Sequence, residues 1–280
     1  MRQQAFGSTG AAIPLIGQGT WQMEEDDPRA AVAALRAGLD LGMTHIDTAE
    51  MYGSGEVEKL VGEAIAGRRD EVYLVSKVLP SNASRTKTVA ACEASLKRLR
   101  TDRLDCYLLH WPGSFPLADT IAAFEELKQQ GKIAAWGVSN FDEGELDEVL
   151  RIAGPGALAC NQVLYHLGER SIEHAVVPWC EAQGVALVGY TPFGRAHFPP
   201  RGEGGHVLET IGKKHGASAR NVALAFLTRR PGSFAIPKAS KLEHLRDNAH
   251  AAAVTLDATD IAAIDQCFPK GPRRAGVPML

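Results

Sequence analysis

The sequence predicts one α/β domain over residues 1–280, a (β/α)8 TIM barrel carrying an N-terminal β-hairpin, and three observations predict it. Short apolar runs rich in β-branched residues alternate with longer segments of helical period, the pattern of repeated β-α units around a parallel sheet. Eight such runs can be counted. No change of composition divides the 280 residues, and barrels of this length form a single unit.

The elements follow in order. Gly7-Ser-Thr-Gly10 supplies the turn of a hairpin ahead of the first strand. The strands are LIGQG (15–19), MTHID (43–47), VYLVSK (72–77), LDCYLLH (104–110), AAWGVSN (134–140), ALACNQ (157–162), ALVGY (186–190) and SFAIPK (233–238). Between them PRAAVAALRAGLDLG, EVEKLVGEAIAG, KTVAACEASLKRL, DTIAAFEELKQQG and SIEHAVVPWCEAQG are each long enough to return the chain to the next parallel strand. Gly42, Gly131 and Gly184 stand where a helix ends. The Gly- and Pro-rich segment 191–217 is expected as a functional loop, followed by a helix at ARNVALAFLTRR. The tail PKGPRRAGVPML is expected over the barrel mouth or partly disordered.

Composition narrows the function. Lysine and arginine number 30 against 33 acidic residues, interspersed, which leaves no electrostatic footprint for nucleic acid or an anionic membrane and points to a small-molecule partner. The N-terminus lacks an apolar core of signal-peptide length, and no apolar run reaches the ~18 residues of a membrane span, so a cytoplasmic protein is expected. Cys92, Cys106, Cys160, Cys180 and Cys267 are scattered, odd in number and without a CxxC pair; reduced thiols are expected, with no disulfide framework and no metal site.

In barrels of this kind the chemistry sits at the C-terminal strand ends. Here those ends carry Asp47, Lys77, His110, Asn140, Gln162, Tyr190 and Lys238. Alone, each has an ordinary structural explanation: a turn Asp, a rim Lys, a hydrogen-bonded His, a packing Tyr, or Ser139-Asn140 as the N-cap of FDEGELDEVL. Together they converge, because Asp47, Lys77 and His110 recur about one β-α unit apart and take neighbouring strand ends. Tyr52, on the loop above Asp47, falls within reach of Lys77. An adjacent ammonium is expected to lower a phenol pKa of about 10, with Asp47 keeping Lys77 charged and His110 orienting a substrate oxygen. Such a site needs a hydride donor, yet Gly17-Gln-Gly19 and Gly53-Ser-Gly55 lack the third glycine of the dinucleotide fingerprint, so any dinucleotide must be held differently. A Schiff-base lyase, isomerase or hydrolase using Lys77 is the competing class, opposed by the Asp47 pairing.

GQGTW, HIDTAEMYGSGE, VSK, LLHWP, WGVSNF, NQVLYH, GYTPFGR and IPKAS, in order over almost the whole chain, resemble the aldo-keto reductase family. Within it, the Lys-Ala-Ser after IP and the short tail resemble bacterial members that reduce small aldehydes such as methylglyoxal. The resemblance implies NADPH-dependent reduction of aldehydes or ketones, with Asp47, Tyr52, Lys77 and His110 as the catalytic tetrad. It implies that Gly19, Thr20, Trp21 and Asp47 border the cofactor. Ser139, Asn140 and Gln162 would bind its carboxamide, and Tyr190 would stack on the nicotinamide. Thr191, Pro192, Phe193, Gly194 and Arg195 would meet the pyrophosphate, over which residues 194–206 could close. Ile236, Pro237, Lys238, Ala239, Ser240 and His244 would lie toward the 2′-phosphate, and Asp247 and Asn248 toward adenine. Ala239 and His244 depart from the Ser and Arg common in the family, which weakens 2′-phosphate recognition unless Lys241 or Arg246 compensates, and leaves NADH as the alternative cofactor. Trp21, Met51, Trp111 and Phe115, with Tyr52 and His110, would line an apolar pocket for a carbonyl substrate. A monomer is expected, and a cofactor-binding regulatory protein of little turnover is the second functional class.

Overall fold

In the computed structural model, which describes residues 1–195 and 197–280, the chain opens with the expected hairpin, β1 (Gln3–Ala5) antiparallel to β2 (Ala12–Pro14). Its turn lies against the barrel floor: a Cβ on Gly7, at φ +53°, would fall 2.1 Å from the Ala159 carbonyl oxygen, so only glycine fits there. Buried Phe6 plugs the floor against His45, Tyr73 and Phe234, with ring centroids 5.0–5.9 Å apart.

Eight strands pair in parallel, each with the next in the chain: β3 (Gln18–Gly19), β4 (His45–Asp47), β5 (Tyr73–Val78), β6 (Leu104–Leu109), β7 (Ile133–Ser139), β8 (Leu158–Leu164), β9 (Ala186–Tyr190) and β10 (Ser233–Ile236). Bridges Ile16–Ala235 and Gly19–Lys238 bring the first strand against the last and close the barrel. All eight predicted runs are strands, with ends shifted by a few residues.

Around them run α1 (Pro28–Asp40), α2 (Glu56–Ala64), α3 (Arg85–Leu99), α4 (Leu117–Gln129), α5 (Glu143–Ala153), α6 (Val176–Gln183), α7 (Glu203–His215), α8 (Ala219–Leu227), α9 (Leu242–His250) and α10 (Ala258–Cys267). Local chemistry explains their bounds. Asp27 accepts the Ala30 N–H at the start of α1, Pro28 occupies the first turn, and Val32, Leu35 and Leu39 form its buried stripe.

Two expectations are corrected and one ordinary structural explanation is set aside. Residues 191–217 are not one loop, because α7 begins at Glu203. Its glycines serve close approach: a Cβ on Gly205 would fall 2.0 Å from the Pro200 carbonyl oxygen, and one on Gly212 2.5 Å from that of Ala217. Ser139-Asn140 does not cap α5; Asp142 does, in a capping box with Glu145. The SIEHAVV stretch is broken at Ala175 (φ −141°) into a short 3-10 turn and α6.

The tail lies over the barrel mouth. Arg170 donates to the Phe268 carbonyl, His174 meets the Gly271 carbonyl at 2.9 Å, and Arg274 pairs with Glu169 at 3.2 Å. No helix among the described residues is long and apolar enough to cross a membrane. The five cysteines are free thiols, four of them buried.

Candidate active site

Pleat and register assemble the predicted quartet. Asp47 ends β4 opposite Val75 of β5, so Lys77 stands two residues further up the neighbouring strand with its side chain on the same inner face. Lys77 Nζ lies 2.5 Å from Asp47 Oδ1, donates to the Thr48 carbonyl at 2.9 Å, and reaches the Tyr52 hydroxyl at 3.2 Å. Tyr52 sits in the loop after β4, its N–H donating to the Ala49 carbonyl, and the left-handed Gly53 and Ser54 turn the chain beyond it. His110 follows β6, its N–H bound to the Val78 carbonyl; its ring lies edge-on to Tyr52 at 5.9 Å and against Trp111 at 4.8 Å.

The electrostatics follow from burial and that one charge pair. Burial pulls the Lys77 pKa down, but Asp47 and the Tyr52 oxygen outweigh it and hold the value above the ordinary one, so it stays an ammonium. Burial, with Lys77 nearby, drives His110 down to about 2, leaving a neutral imidazole whose Nδ1 is buried without a partner among the described residues. Tyr52 is a correction: the Lys77 charge does pull its pKa down, yet burial outweighs that pull, and the phenol titrates above its ordinary value. Burial likewise pushes Tyr190 up to about 12.

A second layer of polar bonds stands on the next strands. Asn140, at φ +62°, donates to the His110 carbonyl and to Ser139 Oγ, both at 3.0 Å, and accepts the Tyr190 hydroxyl at 2.9 Å. Gln162 Nε2 donates to Asp47 Oδ2 at 2.7 Å. The two carboxylate oxygens of Asp47 are thereby divided between Lys77 and Gln162.

Apart from Lys77, which is fully buried behind Asp47 and Tyr52 and does not itself line the cavity, these groups border a cleft of about 500 Å³, within the usual range for a small-molecule site. Of the predicted residues, Gly19, Thr20, Trp21, Asp47, Met51, Tyr52, His110, Trp111, Ser139, Asn140, Gln162, Tyr190 to Arg195, Ile236, Pro237 and Lys238 line it. Five predicted cofactor residues stand outside the lining. Ala239 is buried, and Ser240 donates to Asp26. His244 is beside Glu243 on the surface. Asp247 accepts the Ser218 hydroxyl and Asn248 is buried, both on α9. Phe115 is outside too, under the Lys87 ammonium. Gln22, Met279 and Leu280 line the cleft without having been predicted. Adjacency to Trp21 was the available signal for Gln22, and the expected place of the tail over the barrel mouth was the one for Met279 and Leu280. No group of three or more His, Cys, Asp or Glu side chains that could hold a metal occurs among the described residues.

Charge and backbone geometry vary along the cleft. Lys238 and Arg195 place positive charge along its rim, the left-handed Thr191 (φ +52°) turns the backbone at the end of β9, and the Arg195 guanidinium reaches across to the Trp21 ring at 5.5 Å.

Comparison with known proteins agrees with this geometry. The Aldo/keto reductase family model matches residues 15–269. The chain is 45% identical over 284 residues to methylglyoxal reductase YeaE of Escherichia coli K12, covering 100% of both, and 32% identical to a glyoxal reductase of Bacillus subtilis, covering 91% of this chain and 89% of that one. Among solved structures, an aldo-keto reductase of Klebsiella pneumoniae in complex with NADPH superposes with a TM-score of 0.94 at 42% identity over 100% of both chains. An aldo/keto reductase of the same organism with NADP and acetate gives 0.93 at 43% identity, over 100% of this chain and 99% of that one. The chain belongs to the aldo/keto reductase family.

Proposed function

We propose that this protein reduces aldehydes and ketones to alcohols with NADPH, small dicarbonyl aldehydes such as methylglyoxal being the first substrate class to test. The observation that carries the proposal is the Asp47–Lys77–Tyr52 chain of contacts beside neutral His110 in the lining of the cleft. Bound NADPH supplies the hydride that the carbonyl carbon receives. Tyr52 donates its hydroxyl proton to the carbonyl oxygen, and the Lys77 ammonium stabilises the phenolate that remains. His110, neutral, hydrogen-bonds the substrate oxygen and sets its approach. Asp47 keeps Lys77 charged and on target. The same pairing opposes Schiff-base chemistry, which needs an unprotonated, unpaired lysine.

Ser139, Asn140 and Gln162 would hold the carboxamide, Tyr190 the ring face, and the backbone from Thr191 to Arg195 the pyrophosphate. Lys238 and Ser240 would stand toward the 2′-phosphate. Trp21, Met51 and Trp111 would line the substrate end. We place the protein in the cytoplasm as a single-domain monomer; the free thiols fit a reducing compartment.

The experiment follows NADPH oxidation with methylglyoxal and with 4-nitrobenzaldehyde, for wild type and Tyr52→Phe, alongside calorimetric NADPH binding. Turnover abolished in the variant with binding retained supports the proposal. Tight NADPH binding with no turnover on any carbonyl tested would favour a regulatory role instead.

A further inference from the structure

Where β3 meets β10, the loops beyond the two strands are joined by one carboxylate. Asp26 Oδ2 lies 2.7 Å from Lys238 Nζ and accepts the Ser240 hydroxyl at 2.5 Å. Both potential anion-binding groups are therefore occupied by a single oxygen. The turn bearing Asp26 is firmly held: Met23 is buried in the core, the Asp26 N–H donates to the Met23 carbonyl at 3.2 Å, and the next residue, Asp27, caps α1. Lys238 is fixed from the other side by its bridge to Gly19, whose N–H donates to the Pro237 carbonyl at 3.2 Å. The Asp26 and Lys238 side chains keep 26% and 33% of their exposure, so a ligand can reach the pair.

Lys238 and Arg195 are the cationic side chains among the described lining residues, and Arg195 faces the Trp21 ring. Under the proposed function, Lys238, with the Ser240 hydroxyl beside it, is the group that would meet a phosphate. The inference that follows rests on the proposed function, which puts the 2′-phosphate of NADPH there.

We infer that Asp26 is a specificity-determining residue: its carboxylate holds Lys238 and Ser240 in the role the 2′-phosphate would take, so NADPH must displace it and NADH need not. A phosphate monoester brings a charge of about −1.5 to −2 at neutral pH toward a fixed carboxylate. A 2′-hydroxyl brings no charge and can donate a hydrogen bond to that carboxylate. Asp26 therefore narrows the preference for NADPH, in the same direction as the absence of a guanidinium at His244.

The test is calorimetric titration of the full chain with 2′,5′-ADP and with 5′-AMP, which differ by the 2′-phosphate, for wild type, Asp26→Asn and Lys238→Ala. Asn keeps the shape of Asp26 and can still accept from Ser240, and thermal melting checks that both variants fold. Asp26→Asn should tighten 2′,5′-ADP about tenfold, the order expected for removing one like charge a few ångströms away in water-like surroundings, and leave 5′-AMP within about twofold. Equal changes for both ligands, or weaker 2′,5′-ADP binding, would overturn the inference and leave Asp26 a structural latch. Lys238→Ala separates the two levels. If it weakens 2′,5′-ADP selectively while Asp26→Asn changes nothing, the inference alone fails. If it weakens both ligands equally, the assignment of Lys238 to the 2′-phosphate fails first.

Discussion

Two buried ion pairs built from similar residues do opposite work in this barrel. Lys77–Asp47 and Arg170–Glu173 are both sealed from solvent, at N–O distances of 2.5 and 2.7 Å. Arg170 spreads its fork over Glu173 Oε1 and Oε2, Asp265 and the Phe268 carbonyl, while Glu173 also accepts from Tyr165 at 2.7 Å and Arg229 at 3.3 Å. Every strong group there is used, and the pair ties the segment before α6 to α10 and the tail. Lys77 instead spends one contact on a hydroxyl in the lining of the cleft. The two tyrosines differ in the same way. Tyr165 donates to a carboxylate and is locked as a neutral strut; Tyr52 accepts from an ammonium, which offsets part of the cost that burial puts on its phenolate. Buried charge becomes chemistry where its last partner faces a cavity, and architecture where the network closes on itself.

The sharpest way to break the comparison is to remove one hydroxyl on the open side. Tyr52→Phe should lower kcat by about 10²–10⁴-fold, the usual contribution of a general acid, with the melting temperature unchanged. Turnover retained within tenfold would mean that another group delivers the proton. On the closed side, Arg170→Ala leaves buried Glu173 with the longer Arg229 contact and the Tyr165 hydroxyl in place of its main counter-charge, and should cost about 3–5 kcal/mol in urea unfolding, with kcat per folded molecule preserved. The pair Arg170→Met with Glu173→Leu should recover most of that loss. If the double variant stayed as unstable as the single one, the network's value would lie in its bonds to the tail, not in relief of buried charge.

The two sides also part with pH. Burial would raise Glu173, but Arg170, Tyr165 and Arg229 overcome that and hold it at about 2, against an ordinary 4.5. The unfolded chain takes up this proton first, so the pair's contribution, about 3 kcal/mol for a shift of this size, is complete above pH 4.5 and is lost as pH falls toward 2. His110 is depressed to about 2 as well. Its ring stays neutral in the folded protein, so kcat for reduction should show no step near pH 6.5, and Tyr52, raised above its ordinary value, should keep its proton well into the alkaline range. A kinetic step near 6.5 that vanished in His110→Gln would show that the imidazole is solvated during turnover.

The open site was far more legible in the sequence than the closed one. A barrel converts spacing along the chain into adjacency around a ring, so polar side chains at the ends of otherwise apolar strands announced Asp47, Lys77 and His110 together. Nothing comparable marks Arg170 and Glu173. In GERSIEH they look like a solvated stretch, and they are buried only because α10 and the tail, a hundred residues later, fold over them. Helix α7 was hidden by glycines that read as loop formers until the backbones they admit were visible. The direction of the Tyr52 shift was unreadable for a related reason: the sign of Lys77's effect follows from charge alone, but its size against burial depends on how closely the protein packs around the phenol.

The smallest expected effect lies where the two regions touch. Arg170 anchors the tail at Phe268, and from there the chain runs to Met279 and Leu280 in the cleft lining, helped by Arg273–Glu143 and Arg274–Glu169. Those outer pairs are largely exposed on their arginine side, and such pairs contribute about 0–1 kcal/mol each. Met279 and Leu280 remain 47% and 52% exposed, so they offer a substrate only part of their apolar surface. Replacing both with alanine should therefore raise KM for a bulky aromatic aldehyde by about 3- to 10-fold, the effect of one or two lost methylene contacts, and leave kcat for methylglyoxal unchanged. An equal rise for both substrates would mean that the tail shapes the tetrad itself, and that the closed network at Arg170 reaches into catalysis through the segment it anchors.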